Sequence, residues 1–199
     1  MIAVIDYNVG NVHSVLNTLK RLGIDATLTR DKSVIKNSDG IILPGVGTFP
    51  TAMKNLREFD LIEILNERKC AGVPILGICL GAQIIFEHGF EVRETKGLGY
   101  LSGNVRLIDT SAKLPHMGWN NLEFVCPSPF SSVAGMDVYF VHSYMVDFTE
   151  DTIAFAEYGG VKIPAIFGKE NIVGCQFHPE KSGESGAKIL LKWKEYVYK

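Results

Sequence analysis

Short apolar runs alternate with segments of helical periodicity in the first half of the chain. Residues 2–7 are an apolar run, and similar runs lie at 26–29, 40–45 and 73–78. Strands that are apolar along their whole length are typical of a parallel sheet covered on both faces by helices. The hydrophobic pattern therefore predicts a largely parallel central sheet in this half.

Two helices are predicted between these strands. Asn11 is the expected N-cap of the first helix and Gly23 its end. The apolar positions between them recur at helical spacing: Val12, Val15, Leu16, Leu19 and Leu22. The second helix covers residues 51–68, where apolar residues again share one face. Strands joined by helices in this way form right-handed crossovers.

The pattern changes from about residue 100, where short β-rich segments are separated by Gly, Pro and Asn. Such segments predict hairpins. A last helix is predicted after Ser182, where apolar residues again recur at helical spacing. The chain shows no repeat and no linker long enough to divide it. We expect one α/β domain over residues 1–199, with a β-rich second half.

Composition narrows the classes of partner. The 199 residues carry a formal charge of -2, without a basic cluster of the kind that binds nucleic acid or an anionic membrane. The first residues lack the positive segment of a secretory signal, so a cytoplasmic protein is expected. The four cysteines lie far apart and form no CxxC pair, which argues against a zinc site and a disulfide framework. We expect neither a metal nor a cofactor.

The sharpest local signal is the segment PILGICLGAQIIF at 74–86. An apolar strand runs into Gly77, Cys79 and Gly81 and then into a helical stretch, which is the pattern of a nucleophile elbow with cysteine as the nucleophile. Small residues are needed at both sides because the elbow is a tight, strained turn. The helix start also favours the thiolate form. The alternative is a buried structural cysteine beside two packing glycines.

A candidate base lies in QFHPEKS at 176–182. The strand before it delivers His178, and Glu180 follows across Pro179. Proline fixes its own φ and favours an extended residue before it, so the imidazole and carboxylate hold a defined relation. A carboxylate on one ring nitrogen leaves the other nitrogen free to face a thiol. A structural histidine is the alternative.

An oxyanion hole is the third element of this chemistry. Strand 40–45 ends in Pro44, Gly45, Val46 and Gly47, and a loop so rich in glycine can turn its N–H groups into a cavity. With the N–H of Leu80, this loop could bind the oxygen of a tetrahedral intermediate. Alone the loop is a common turn sequence.

Together, GICLG, FHPE and the PGVG loop resemble the triad-type glutamine amidotransferases. The resemblance implies a flavodoxin-like parallel α/β domain with a Cys79, His178 and Glu180 triad. Glutamine is then the expected substrate, and glutamate and ammonia the products.

Further motifs resemble one branch of that family, the glutaminase subunits of imidazole glycerol phosphate synthases from histidine biosynthesis. These motifs span nearly the whole chain: DYNVGNVHSV, KGLGYLSGNV, LPHMGWN and YFVHSY. The glutaminases of pyridoxal phosphate synthases usually carry PGGES in the loop and lack PHMGWN. The resemblance implies a heterodimer with a cyclase subunit, a (β/α)8 barrel that receives the ammonia.

The resemblance also implies roles for other residues. Glutamine would be bound by Gln83, His142, Ser143 and Tyr144. The interface with the cyclase would include Asn11, His116, Met117, Trp119, Asn120 and Lys181. The alternative for LPHMGWN is a purely structural role, as a turn with Trp119 as a core aromatic. His13 and His88 are expected on helices, as ordinary surface or edge residues.

Two other functions stay open at this point. Another triad glutaminase, or a γ-glutamyl cysteine hydrolase or small peptidase of the same architecture that acts alone, would use the same elbow. A regulatory or scaffolding subunit is also possible, but loss of catalysis usually removes a triad member, and all three are present.

Overall fold

A computed structural model of the chain describes residues 1–198. The strands are β1 Ile2–Ile5, β2 Ala26–Thr29, β3 Gly40–Leu43, β4 Ile75–Ile78, β5 Phe86–Gly89, β6 Thr95–Lys96, β7 Leu101–Leu107, β8 His116–Asn121, β9 Glu123–Phe124, β10 Asp137–His142, β11 Tyr144–Val146, β12 Thr152–Tyr158, β13 Val161–Lys169 and β14 Ile172–Cys175. The helices are α1 Val12–Arg21, α2 Lys32–Lys36, α3 Phe49–Glu58, α4 Ile62–Cys70, α5 Leu80–Gln83 and α6 Gly183–Val197.

The central sheet has eight strands in the order β2-β1-β3-β4-β14-β13-β12-β9. The first five are parallel, because β1 pairs in parallel with β2 and β3, and β4 with β3 and β14. Strands β13, β12 and β9 continue the sheet in antiparallel fashion. The parallel part has the flavodoxin-like order, and the predicted α/β class is confirmed.

The parallel strands are buried on both faces, as their apolar sequences require. In β1, Ile2 and Val4 pack in a core with α1 and α6, whereas Ala3 and Ile5 pack in a second core with α3 and α4. No helix within residues 1–198 is long and apolar enough to cross a membrane.

Two smaller sheets lie beside the central one. Strands β10 and β8 pair antiparallel, so that Trp119 lies opposite Tyr139 and His116 opposite His142. The other small sheet has four strands in the order β11-β7-β5-β6. The hairpins predicted for the second half are confirmed in β12–β13 and β13–β14.

Several local predictions are wrong. The helix expected at 51–68 is two helices, because Asp60 takes a left-handed φ of 53° between α3 and α4. Helix α5 ends at Gln83, and the chain turns into β5, which places His88 on a strand and not on a helix. The apolar residues after Gln83 are buried in the second core, so packing and not helical periodicity explains them.

Asn11 occupies the predicted N-cap position of α1, but its side chain does not cap the helix. It takes a left-handed φ of 70°, and its side chain makes no capping hydrogen bond. The Nδ2 group instead donates to Oε1 of Glu180. A residue assigned to helix capping from its sequence position thus contacts the candidate triad.

Candidate active site

Cys79 lies at the turn between β4 and α5, with φ 52° and ψ −108°. A strained conformation of this kind is the mark of a nucleophile elbow. A Cβ on Gly77 would lie 2.6 Å from Cα of Ala82, and one on Gly81 would lie 1.8 Å from the carbonyl oxygen of Leu43. Both glycines are therefore required by close backbone packing, as the sequence predicts.

The sheet brings His178 to the same edge as the elbow. Strand β14 pairs with β4, and the N–H of Cys79 donates to the carbonyl oxygen of Cys175 at 2.8 Å. His178 lies three residues after Cys175, the last residue of β14, and has an extended backbone at φ −100° and ψ 95°. Its N–H donates to the carbonyl oxygen of Tyr139 at 3.0 Å. Neighbouring parallel strands thus end at the thiol and at the imidazole.

Glu180 holds the His178 ring from one side. Its Oε1 lies 2.7 Å from Nδ1 of His178, and both side chains are buried. Because a carboxylate accepts, Nδ1 carries a proton and Nε2 is the nitrogen left for chemistry. That Nε2 is buried and makes no hydrogen bond with the part of the chain that the structure describes.

The charge state of His178 is set by two opposed effects. Burial acts to lower its pKa, but the interactions with Cys79 and Glu180 outweigh burial and raise the pKa of His178 to about 10. The imidazole is therefore protonated at neutral pH. A protonated imidazole can give a proton to a leaving group.

The loop after β3 lies against the elbow, but its arrangement differs from a formed oxyanion hole. The N–H of Leu80 donates to the carbonyl oxygen of Gly45 at 3.3 Å, so this donor is occupied within the loop. The hydroxyl of Tyr7, which is fully buried, donates to the carbonyl oxygen of Pro44. Gly45 and Gly47 have φ values of 151° and 128°, a region that favours glycine.

A small pocket of about 260 Å³ opens beside the thiol. It is lined by residues that the sequence analysis assigns to catalysis, oxyanion binding or substrate binding, including Cys79, Gln83, Ser143 and Tyr144. Nε2 of Gln83 donates to the carbonyl oxygen of Tyr144 at 2.8 Å and to Oε1 of Gln176 at 3.0 Å. Both amide hydrogens are thus engaged, and the amide oxygen is the atom Gln83 can offer a ligand.

Glu91 also lines the pocket, and sequence reasoning missed it. Its carboxylate accepts from the N–H of Phe49 at 2.7 Å, and burial raises its pKa, against the effect of that hydrogen bond. Glu91 lies between β5 and β6 in no recognisable motif, so only the tertiary structure brings it to the thiol. It supplies an acidic group to the lining of the pocket.

His142 also lines the pocket, and protein groups contact both of its ring nitrogens. The side chain is 7% exposed, its Nδ1 lies 2.8 Å from the carbonyl oxygen of Tyr144, and its Nε2 lies 3.1 Å from Nδ1 of His116. Both ring nitrogens are occupied by protein groups. His142 therefore supports the pocket wall.

The residues expected at a partner interface divide into exposed and buried ones. Met117 and Trp119 are 60% and 55% exposed, and they share one face of β8 because they are two residues apart. Trp119 is thus not a core aromatic, and LPHMGWN is not a simple turn. His116 is fully buried and faces the other side. Lys181 is exposed in the turn that carries Glu180.

No cluster of metal-ligand residues is present within residues 1–198. Of the four cysteines, Cys70 and Cys126 are exposed and Cys175 is buried, and each is a free thiol.

Comparisons with known proteins identify the family of the chain. The family model described as glutamine amidotransferase class-I matches residues 3–195. The chain is 53% identical over 199 residues to "Imidazole glycerol phosphate synthase subunit HisH" of Lactococcus lactis subsp. lactis, covering 98% of both chains. The protein of the same description from Bacillus cereus is 46% identical, covering 99% of this chain and 95% of that protein.

Solved structures give the same fold. A crystal structure of a glutamine amidotransferase superposes with a TM-score of 0.79 at 21% identity, covering 100% of this chain and 99% of that one. The structure of PurLQS from Thermotoga maritima superposes with a TM-score of 0.77 at 19% identity, covering 98% of both chains.

Proposed function

The chain belongs to the class-I glutamine amidotransferases, and on that premise we propose that it is the glutaminase subunit of an imidazole glycerol phosphate synthase in histidine biosynthesis. The observation that carries the proposal is the convergence of Cys79, His178 and Glu180 at one end of the sheet, beside a small pocket. An alternative as a scaffolding subunit is disfavoured because this arrangement is complete.

In the proposed reaction, the sulfur of Cys79 bonds to the carboxamide carbon of glutamine. His178 gives its proton to the leaving nitrogen as the C–N bond breaks, which frees ammonia and leaves a γ-glutamyl thioester. The neutral imidazole then takes a proton from water, whose oxygen attacks the thioester. Glutamate leaves, the sulfur departs as thiolate, and His178 is protonated again. Glu180 orients the ring in both steps.

Substrate recognition is proposed to use the two ends of the pocket. The carboxylate of Glu91 is suited to the α-ammonium group of glutamine, because it is partly buried and opposite in charge. The amide oxygen of Gln83 and the wall formed by Ser143 and Tyr144 lie nearby. A single amino acid suits this small site better than a peptide.

The oxyanion hole is proposed to form only when the loop rearranges. In the present arrangement the Leu80 N–H is engaged by the Gly45 carbonyl, so the oxyanion lacks this donor. A turn of the loop from Gly45 through Val46 to Gly47 would free Leu80 and aim a loop N–H at the oxygen. We propose that partner binding favours this turn.

The proposed partner is the cyclase subunit, a (β/α)8 barrel, in a cytoplasmic heterodimer that acts as a lyase. Ammonia in neutral water is mostly protonated and no longer nucleophilic, so it must pass to the acceptor through a dry channel. The exposed pair Met117 and Trp119, together with Lys181 beside the triad, forms the proposed docking face. Asn11 and Asn120 are only partly exposed and lie at its edge.

The test uses the purified chain together with the cyclase. Cys79→Ala should abolish glutamate release from glutamine, because the alanine cannot form a thioester, whereas Cys70→Ala and Cys126→Ala should keep it. A glutamine analogue that alkylates thiols should modify Cys79, as read by mass spectrometry. Modification of an exposed cysteine instead, or full activity of Cys79→Ala, would overturn the proposal.

A further inference from the structure

A chain of polar groups runs from the outer strand β8 to the pocket wall through two buried histidines. Nδ2 of Asn120 donates to the carbonyl oxygen of Glu157 at 2.6 Å, and Oδ1 of Asn120 lies 3.2 Å from Nε2 of His116. Nδ1 of His116 lies 3.1 Å from Nε2 of His142. Nδ1 of His142 lies 2.8 Å from the carbonyl oxygen of Tyr144.

The number of protons in this chain can be counted. The two end groups are backbone carbonyls, which only accept. Because the Asn120 nitrogen donates to Glu157, the Asn120 oxygen faces His116 and accepts from it. Nε2 of His116 must therefore carry a proton. His142 must carry one on Nδ1, and the contact between the rings needs a third. Two neutral imidazoles hold only two such protons.

A third proton would place a positive charge on the pair, and the surroundings resist it. His116 is fully buried and stacks between the rings of Phe140 and Tyr158, with centroids at 4.6 and 4.1 Å. Burial lowers the pKa of His142 to about 3, against the effect of the contact with the Tyr144 carbonyl oxygen, and a positive charge on His116 or His178 would lower it further. Burial lowers the pKa of His116 as well. Both histidines are therefore neutral at neutral pH, and one hydrogen bond of the chain from Glu157 to Tyr144 cannot form.

Asn120 is the member of the chain that can exchange donor and acceptor, by rotating its amide. With its oxygen on His116, a neutral pair has protons on Nε2 of both rings, and His142 cannot donate to Tyr144. With its nitrogen on His116, both rings carry protons on Nδ1 and His142 donates to Tyr144, but the Asn120 oxygen then faces the Glu157 carbonyl oxygen and that hydrogen bond is lost. In a neutral pair that keeps the hydrogen bond between the rings, His116 and His142 thus share one tautomer.

We propose that His116 and His142 are positioning residues of the glutamine pocket, and that the orientation of the Asn120 amide decides whether His142 holds the Tyr144 carbonyl. The inference rests on the proposed glutaminase function. The Tyr144 carbonyl also accepts from Gln83, and Gln83, Ser143 and Tyr144 line the pocket. When His142 does not donate, this part of the wall depends on Gln83 and binds glutamine less tightly.

The first measurement needs no activity. In the chain labelled with ¹⁵N-histidine, NMR near neutral pH should find His116 and His142 neutral and in the same tautomer. Asn120→Leu should move both rings fully to the Nδ1–H form, because the acceptor on His116 is gone. Opposite tautomers, a protonated ring, or a shift of one ring alone would overturn the proposal.

The second measurement uses two variants of one residue. His142→Asn keeps a donor near the position of Nδ1, whereas His142→Leu has a similar size and no donor. We expect the pair with protons on Nδ1 to predominate in the wild-type chain, because it keeps the 2.8 Å contact of His142 with the Tyr144 carbonyl oxygen. KM for glutamine should then rise about fivefold to tenfold in His142→Leu, the effect of one lost hydrogen bond, and stay near the wild-type value in His142→Asn.

Equal rises of KM in both variants, or none in either, would overturn the positioning role. If the unaltered chain with the cyclase does not hydrolyse glutamine, the proposed function fails, whereas the NMR result still tests the proton count.

Discussion

At the scale of single residues, Glu180 receives two donors on one oxygen, Nδ1 of His178 and Nδ2 of Asn11. In the proposed reaction His178 transfers protons, whereas Glu180 orients His178 and Asn11 orients Glu180. We therefore expect kcat/KM for glutamine to fall by several powers of ten in His178→Ala, by less in Glu180→Gln, and by about tenfold to a hundredfold in Asn11→Leu.

Asn17→Leu, at an exposed asparagine of α1, the helix that follows Asn11, is the matched control. Its kcat/KM for glutamine should be near the wild-type value. Equal and mild losses in the three active-site variants would mean that His178 is structural.

His142 should make the fold sensitive to acid. Burial lowers its pKa to about 3 in the folded chain, against about 6.5 in an unfolded one. Between these values the unfolded chain binds a proton that the folded chain does not. The stabilising contribution is therefore complete above about pH 6.5 and is lost as the pH falls toward 3.

We expect His142→Asn, which does not titrate, to reduce the loss of unfolding free energy between about pH 6.5 and 5 by about 1 to 2 kcal/mol. Urea unfolding at several pH values measures it. His13→Asn, at an exposed position, should leave the slope unchanged. If the unfolding free energy depends on pH equally in His142→Asn and His13→Asn, His142 is not the source of the acid sensitivity.

At the scale of elements, the loop after β3 should limit the isolated chain. One missing oxyanion donor costs roughly 3 to 4 kcal/mol, or about a few hundredfold in rate. Glutamine hydrolysis by the chain alone should be slower by about this factor than hydrolysis by the complex with the cyclase and its substrate. If the isolated chain is as fast as the complex, the loop does not gate activity.

Tyr7 connects this loop to the end of β1. Its hydroxyl donates to the Pro44 carbonyl and favours the arrangement in which Gly45 occupies the Leu80 N–H. Tyr7→Phe should therefore raise the rate of the isolated chain about fivefold, the effect of one hydrogen bond. Tyr100→Phe, which removes a hydroxyl bonded to Asn66 on another part of the chain, is the control. An unchanged or lower rate in Tyr7→Phe would count against this account.

At the scale of the whole molecule, we propose Trp119 as the anchor for the cyclase. A few large aromatic residues carry most of the binding free energy of many interfaces. Trp119 is exposed, so its replacement should affect folding little. Trp119→Ala should weaken binding of the cyclase, or let ammonia escape so that glutamate exceeds the imidazole product. Calorimetry and a ratio of the two products measure these effects.

Leu191→Ala, at an exposed apolar residue of α6, is the control for Trp119→Ala. Unchanged affinity together with one glutamate per imidazole product in Trp119→Ala would place the interface elsewhere.

Much of the fold and of the candidate site could be predicted because the signals are local. Apolar runs predict the parallel strands, and Gly77 and Gly81 around Cys79 predict the elbow from steric needs that no distant residue alters. Pro179 likewise restricts His178, since its effect acts on adjacent backbone. Local prediction failed where packing overrides periodicity, as in the break at Asp60 and the turn from α5 into β5.

The sequence by itself determined the reacting groups and the order of the elements that carry them, because both depend on neighbours along the chain. Only the tertiary structure decided which partners those groups meet: the Asn11 amide on Glu180, the Glu91 carboxylate in the pocket, and the Gly45 carbonyl on the Leu80 N–H. Such contacts join residues far apart in sequence, and their distances and proton positions follow from the packing of the sheet and its loops. The pairing of His116 with His142 is of the same kind, because it depends on the register between β8 and β10.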